Sequence, residues 1–221
     1  MTPTTATRPV DLRPVLGLPD PGERVPGLAG PTAALYLGTL ALFVVEIVGL
    51  AQGWTPWALV PMGAAVTYLM FTVLHESIHH AVSTRTGLND WFGRLAIPFV
   101  APYAPFGLVK WIHIEHHRNT NEPKLVDPDQ WTSEGPAWQL PFRWATLDLW
   151  YLAFYLLRIR ERPRREVAFT LTYFGAAVAG LAAVAVAGAG SELLIWLAGQ
   201  RPGVLVLARS EEHTSELQSP M

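Results

Sequence analysis

The chain has 221 residues, of which half are apolar and 15% are charged, so it has the length of one large domain and more hydrophobicity than a soluble domain carries. It reads as an all-α integral membrane protein. A net charge of -2 provides no basic surface for nucleic acid, and the absence of cysteine excludes disulfides, thiolate metal sites and thiol nucleophiles, leaving histidine and carboxylate as metal ligands.

Residues 1–30 are rich in proline and threonine and carry Arg8, Arg13 and Arg24 without an apolar core, which predicts a flexible tail, not a signal peptide. From Pro31 to Gln52 the chain is apolar over the roughly 20 residues that a bilayer requires. Its only charge, Glu46, lies near one end and reads as an interfacial carboxylate. The turn "GWTP" leads into a second span, Thr55 to Leu74, that ends at His75, so the two spans form a helical hairpin. Arginine and lysine are absent from that turn but present before Pro31 and from Arg85 to Arg165, which places the N-terminus, the long loop and His75 in the cytosol.

Between Arg94 and Lys110, "LAIPFVAPYAPFGLV" is broken by Pro98, Pro102 and Pro105 and predicts a re-entrant or interfacial segment. A segment that does not cross keeps Trp111 to Arg118 on the same side as His75. Pro141 to Leu157 mixes aromatic residues with Arg143 and Asp148, as a helix in the headgroup region does. The basic run "RIRERPRR", Arg158 to Arg165, fits a juxtamembrane position before a third span, Val167 to Gly190. The apolar stretch Glu192 to Ala208 is interrupted by Gln200, Arg201 and Pro202.

Six of the seven histidines fall into two short windows: His75, His79 and His80, then His113, His116 and His117. On a helix His75 and His79 share one face, while His80 is rotated about 100° further and could reach a second metal. His113 repeats the pattern with His116 and His117. The letters HExxH at His75–His79 also read as a zinc protease, with Glu76 as general base. That reading has no clear third ligand and leaves the second triplet unexplained. Two triplets of imidazole suit a two-metal site, and zinc, copper, iron and nickel all accept such ligands. Glu76, Glu115, Asp127 and Asp129 could accept hydrogen bonds from ligand imidazoles, and Asp127-Pro128-Asp129 is also a turn former.

"HESIHHAVSTRTGLNDWFG" resembles the first histidine box of acyl-lipid desaturases. "HIEHHRNTNEPKLVDPDQWTSEGPAW" contains an HxxHH box whose continuation resembles bacterial-type carotenoid ring hydroxylases. Together they are similar to the membrane fatty acid desaturase and hydroxylase superfamily over roughly Leu35 to Tyr173. The resemblance implies two non-haem iron ions held by histidine boxes at the cytosolic face of a membrane, in a bacterium the cytoplasmic membrane. It implies O2 as co-substrate, a lipid or carotenoid substrate, and an external electron donor of ferredoxin or cytochrome b5 type. His75, His79, His80, His113, His116 and His117 are then the iron ligands. The basic run could help dock an acidic donor.

The family pattern includes a third box, which does not occur before Met221. Arg209 to Ser219, in the abruptly polar tail "RSEEHTSELQSPM", resembles an in-frame translation of a sequencing adapter. The expected organisation is therefore a tail at 1–30, an incomplete desaturase-like membrane domain at 31–208, and a non-native tail at 209–221. Acyl desaturation is the leading reading and carotenoid ring hydroxylation the close alternative. A zinc protease and an inactive metal-binding fragment stand as readings from other classes.

Overall fold

The computed structural model describes residues 26–218, with side chains as far as Leu207, and these residues form helices and turns without strands. Most of the tail expected at 1–30, and residues 219–221, lie outside the described residues. Helices α1 (Gly30–Ala51) and α2 (Pro56–Ile78) each place a proline in the first turn, where the missing N–H is not needed. Their 22 and 23 residues give lengths of about 33 Å, enough to cross a bilayer. Residues 26–29 run against the segment that follows α2. There the Ala29 N–H donates to the Val82 carbonyl at 2.7 Å, and the Thr84 N–H donates to the Pro26 carbonyl at 3.1 Å.

The pattern of α1 is inverted relative to a soluble helix. Its buried residues are Thr32, Thr39, Glu46 and Gly49, whereas Leu37, Val44, Ile47 and Val48 point outward. An apolar exterior is what lipid requires, and it leaves the polar stripe to face α2. Glu46 therefore departs from the interfacial position expected for it: the residue is 1% exposed and its Oε2 lacks a hydrogen-bond partner among the described residues. The cause is position on the stripe, since Glu46 falls seven residues after Thr39 and meets α2 beside Gly63.

Helix α3 (Thr86–Val100) packs on α2, and the chain breaks at 101–105 before α4 (Phe106–Arg118). Of the prolines expected to interrupt this region, Pro102 and Pro105 fall in the break, whereas Pro98 lies inside α3, and α4 returns to the end of α2. The core is formed by Val66, Met70, Val73, Leu74 and Ile78 of α2 with Ala96, Ile97 and Phe106. Asn89 braces α3 from within: its side-chain amide donates to the carbonyls of Ser83 at 2.7 Å and Arg85 at 3.2 Å, and accepts from the Ser83 N–H at 3.1 Å. The segment expected to lie flat from Pro141 to Leu157 is two helices, α5 (Leu140–Ala145) and α6 (Leu147–Leu157). Phe154 and Tyr155 of α6 are fully buried, so this helix is part of the packed interior.

Helix α7 (Arg164–Val184) leads through a wide turn, Ala185–Ala189, into α8 (Gly190–Gln218). Together with α1 and α2, the stretch Arg164–Leu207 is long and apolar enough to cross a membrane. It runs for 44 residues, about twice the length of one crossing. Gly188, at φ 97°, takes a conformation that residues with a Cβ rarely adopt, and the chain folds back there. Thr170 and Leu207, about equally far before and after Gly188, line one cavity. The interruption expected at Gln200, Arg201 and Pro202 does not end α8, because Arg201 is paired with Asp148 of α6 at 2.8 Å. Close contact with α2 is made through glycine: a Cβ on Gly63 would stand 3.0 Å from the Gly199 Cα.

Gly93 of α3 leaves no room for a side chain against the Phe106 ring and the Ser77 hydroxyl. Gly93→Ala is expected to destabilise the protein by about 1–3 kcal/mol through overpacking. Gly38→Ala, with nothing within 4 Å of the new methyl group, should be neutral or slightly stabilising. Thermal midpoints of the two variants in detergent check this difference.

Candidate metal centre

Helix α2 ends at Ile78 with His79 as its C-cap, so His75 and His79 stack one turn apart with ring centroids 4.5 Å apart. His113 and His117 occupy one face at the end of α4, with centroids 4.6 Å apart. The break between α3 and α4 brings the two pairs together. His79 Nε2 lies 2.9 Å from His113 Nε2, and His117 Nε2 lies 3.1 Å from the same atom. One nitrogen from each of the four rings lies within 4.8 Å of the others.

His80 is not brought into this group. The Ala81 N–H donates back to the Glu76 carbonyl at 2.9 Å and the His80 N–H to the Ser77 carbonyl at 3.2 Å, closing α2 with a left-handed residue, His80, at φ 58°. The reversal carries the imidazole to Lys110, whose Nζ lies 3.2 Å from His80 Nε2. Lys110 also pairs with Asp90 at 3.0 Å. Glu76 accepts a hydrogen bond from the Thr32 hydroxyl of α1, and Glu115 pairs with Arg118 at 3.1 Å on the surface.

His116 belongs to a second group, with Asp127 and Asp129. Its Nδ1 is 2.8 Å from Asp127 Oδ1 and 3.6 Å from Asp129 Oδ2. Asp127 is fully buried and also accepts from the backbone N–H groups of Asp129 at 2.9 Å and Asn121 at 3.0 Å. It thus both caps the turn Pro128–Thr132 and orients an imidazole. Three indoles outside the predicted site hold that turn. Trp150 donates to the Pro128 carbonyl at 2.9 Å, Trp144 to the Thr132 carbonyl at 2.9 Å, and Trp131 to the Arg143 carbonyl at 3.0 Å. Tyr151 donates to Asp129 Oδ1 at 2.7 Å. Their only sequence signal was the aromatic richness of Trp131 to Tyr155.

A cavity of about 250 Å³ adjoins the four-histidine group, with His75, His113, Phe71 and Ile78 on its walls. The remaining wall comes from residues 100–104, the turn Pro128–Thr132, α4, α6, α7 and α8 and is mostly apolar. Its carboxylates are Asp129, held in the His116 group, and Asp148, which accepts from the Tyr103 hydroxyl and from Arg201, each at 2.8 Å.

Residues 52–216 match the model of the family described as fatty acid desaturase. The chain belongs to the fatty acid desaturase family. A zeaxanthin 4-ketolase of Chlamydomonas reinhardtii is 35% identical over 81 residues, 36% of this chain and 18% of the ketolase. No solved structure matches the chain. The helical, membrane-spanning architecture with grouped histidines is that of a desaturase-family protein, and the family implies non-haem di-iron.

The four-histidine group fits a metal ion of this kind. Imidazole nitrogens bound about 2.1 Å from one ion at right angles stand about 3 Å apart, close to the separations at His113. The rings are also prepared electrostatically. Burial, followed by the neighbouring His75, His117, His79 and His116, lowers the His113 pKa to about 2. Burial likewise lowers His79 and His117, with His79 and His116 adding to the effect on His117 and Asp127 opposing it. These imidazoles are therefore neutral at physiological pH, the form that binds metal. At Asp148 burial pushes the carboxyl up, but hydrogen bonds from Arg201 and Tyr103 outweigh it and leave the carboxyl below its ordinary range.

A folded His113 value near 2 lies below the ordinary value of about 6.5, so the unfolded chain takes up protons first as pH falls. The stability of the metal-free desaturase-family chain is expected to be full above about pH 6.5 and to decline below it. His113→Asn should flatten that decline. Denaturation of both proteins in detergent between about pH 7.5 and 5 measures the slope.

Proposed function

We propose that this chain forms the metal-binding part of a membrane non-haem di-iron oxidoreductase that uses O2 on a lipid substrate, with acyl desaturation as the leading reaction. The observation that carries the reading is the convergence of His75, His79, His113 and His117 beside an apolar cavity in a membrane-spanning desaturase-family chain. These four residues would hold one iron, and His116, oriented by Asp127 and Asp129, would serve the second. Bound iron would supply O2 activation and oxidation of an unactivated C–H bond. His80 would join the ligands only if the left-handed end of α2 and the Lys110 contact rearranged.

The chain's own residues account for the remaining requirements. The apolar wall excludes water and presents a hydrocarbon to the histidines. Asp127 holds the proton of His116 Nδ1, which leaves Nε2 as the ligand atom. Electrons would arrive from a ferredoxin or cytochrome b5 type donor at the cytosolic face, with Arg158 to Arg165 close to where α7 enters the membrane. Arg162 is partly engaged there, by Glu166 at 2.7 Å and over the Trp111 ring. In this reading the N-terminus and histidine boxes face the cytosol.

Carotenoid oxidation is the second reading, favoured by the 35% identity to a zeaxanthin 4-ketolase. A zinc protease is disfavoured because Glu76, its required base, is engaged by Thr32 while His113 and His117 of another helix join the ligand group.

The purified chain is expected to retain ferrous iron. His113→Ala should abolish retention, and Asp127→Ala should weaken it roughly 10–100-fold. Metal analysis reads both. A form restored with a third box should give an O2-dependent oxidised lipid or carotenoid detectable by mass spectrometry. Zinc retention with peptide cleavage would overturn the proposal.

A further inference from the structure

The cavity beside the histidines has a polar position that metal binding does not explain. Asp148 and Tyr103 are among its walls, whereas Arg201, which neutralises Asp148 from α8, is not. Asp148 Oδ2 accepts twice, from Tyr103 and Arg201, while among the described residues Oδ1 accepts only the Leu149 N–H at 3.0 Å. A carboxylate oxygen has room for a second donor, so Oδ1 retains an acceptor position. The Tyr103 hydroxyl donates its hydrogen bond to Asp148 and retains accepting capacity.

We propose that this cavity recognises an apolar molecule bearing a neutral hydroxyl, with Asp148 accepting the hydroxyl proton and Tyr103 fixing its direction. A free carboxylate has no proton to donate to Asp148 and finds the neighbouring cation, Arg201, already paired, so it is disfavoured there. An alkane fills the same apolar wall but leaves the acceptor unused. Asp148 and Tyr103 are thus specificity-determining residues that select an alcohol over an acid. The inference rests on the proposed function only in taking this cavity as the substrate site.

The test uses the purified chain in lipid nanodiscs, with decanol, decanoate and decane competing against a brominated alkane that quenches tryptophan fluorescence. Decanol is expected to compete roughly tenfold better than decane, the usual effect of one hydrogen bond to a charged group, and decanoate worst of all. Asp148→Asn should weaken decanol, admit decanoate and leave decane unchanged. Should that variant fail to fold with Arg201 unpaired, the wild-type ranking decides alone, and Tyr103→Phe provides the second variant. Equal competition by decanol and decane, or strongest competition by decanoate, overturns the inference. Iron retention is measured on the same samples. Alcohol selectivity without iron overturns the proposed function and not this site, and iron retention without selectivity does the reverse.

Discussion

Three imidazole nitrogens cannot stand about 3 Å apart around His113 without something between them. Each neutral ring offers one lone pair and one N–H, so the contacts of His113 with His79 and His117 at 2.9 and 3.1 Å each require a shared proton or a cation. An N–H···N bond between neutral rings uses the one lone pair or one N–H of His113 Nε2 and so fully serves only one of the two contacts, and burial opposes charging His113 to serve both. A bound cation would satisfy one lone pair from each of the four rings at once. The surrounding structure can be understood as the scaffold that enforces this convergence.

The scaffold has two parts of different origin. At the end of α2, Asn89 and Gly93 draw α3 against the turn that carries His75 and His79: Asn89 closes the 83–85 bend and Gly93 admits the Phe106 ring. The break at 101–105 then lets α4 return, so its final turn meets that of α2. The second part is the loop after α4. Its turn at Pro128–Thr132 is fixed by indole hydrogen bonds and by the stacking of Trp131 on Trp150 at 4.7 Å. That fixation allows Asp127 to be fully buried and still hold His116. A carboxylate placed there without its three donors would be strongly destabilising.

Helical spacing made His75 with His79 and His113 with His117 legible, because positions four apart share a face whatever the tertiary fold. The spans of α1 and α2 and the proline break before α4 were legible for equally local reasons. His80 was not, since its placement depends on where α2 stops, and a histidine in a left-handed closing position gives no strong sequence signal. His116 looked equivalent to His117, but its partner lies eleven residues on in a turn whose position tryptophans decide. Glu46 and Arg201 were misjudged for a common reason. Hydropathy treats a charge in an apolar run as an interruption, whereas here one faces the neighbouring helix and the other meets Asp148, 53 residues away in sequence.

The lowered proton affinity of the cluster also bears on how metal binding and folding are coupled. A ligand that must lose a proton spends part of its binding free energy on that release, and the affinity then falls as the medium becomes acid. His113, held at about 2, has no proton to lose across the physiological range. The electrostatic cost of crowding neutral rings is met when the chain folds, and a metal bound there would stabilise the fold. Helix ends, glycine contacts and buried carboxylates that create the crowding therefore act on metal affinity and on fold stability together. Residues as distant from the histidines as Gly93 and Trp150 belong to the site by this linkage, although neither touches a ligand nitrogen.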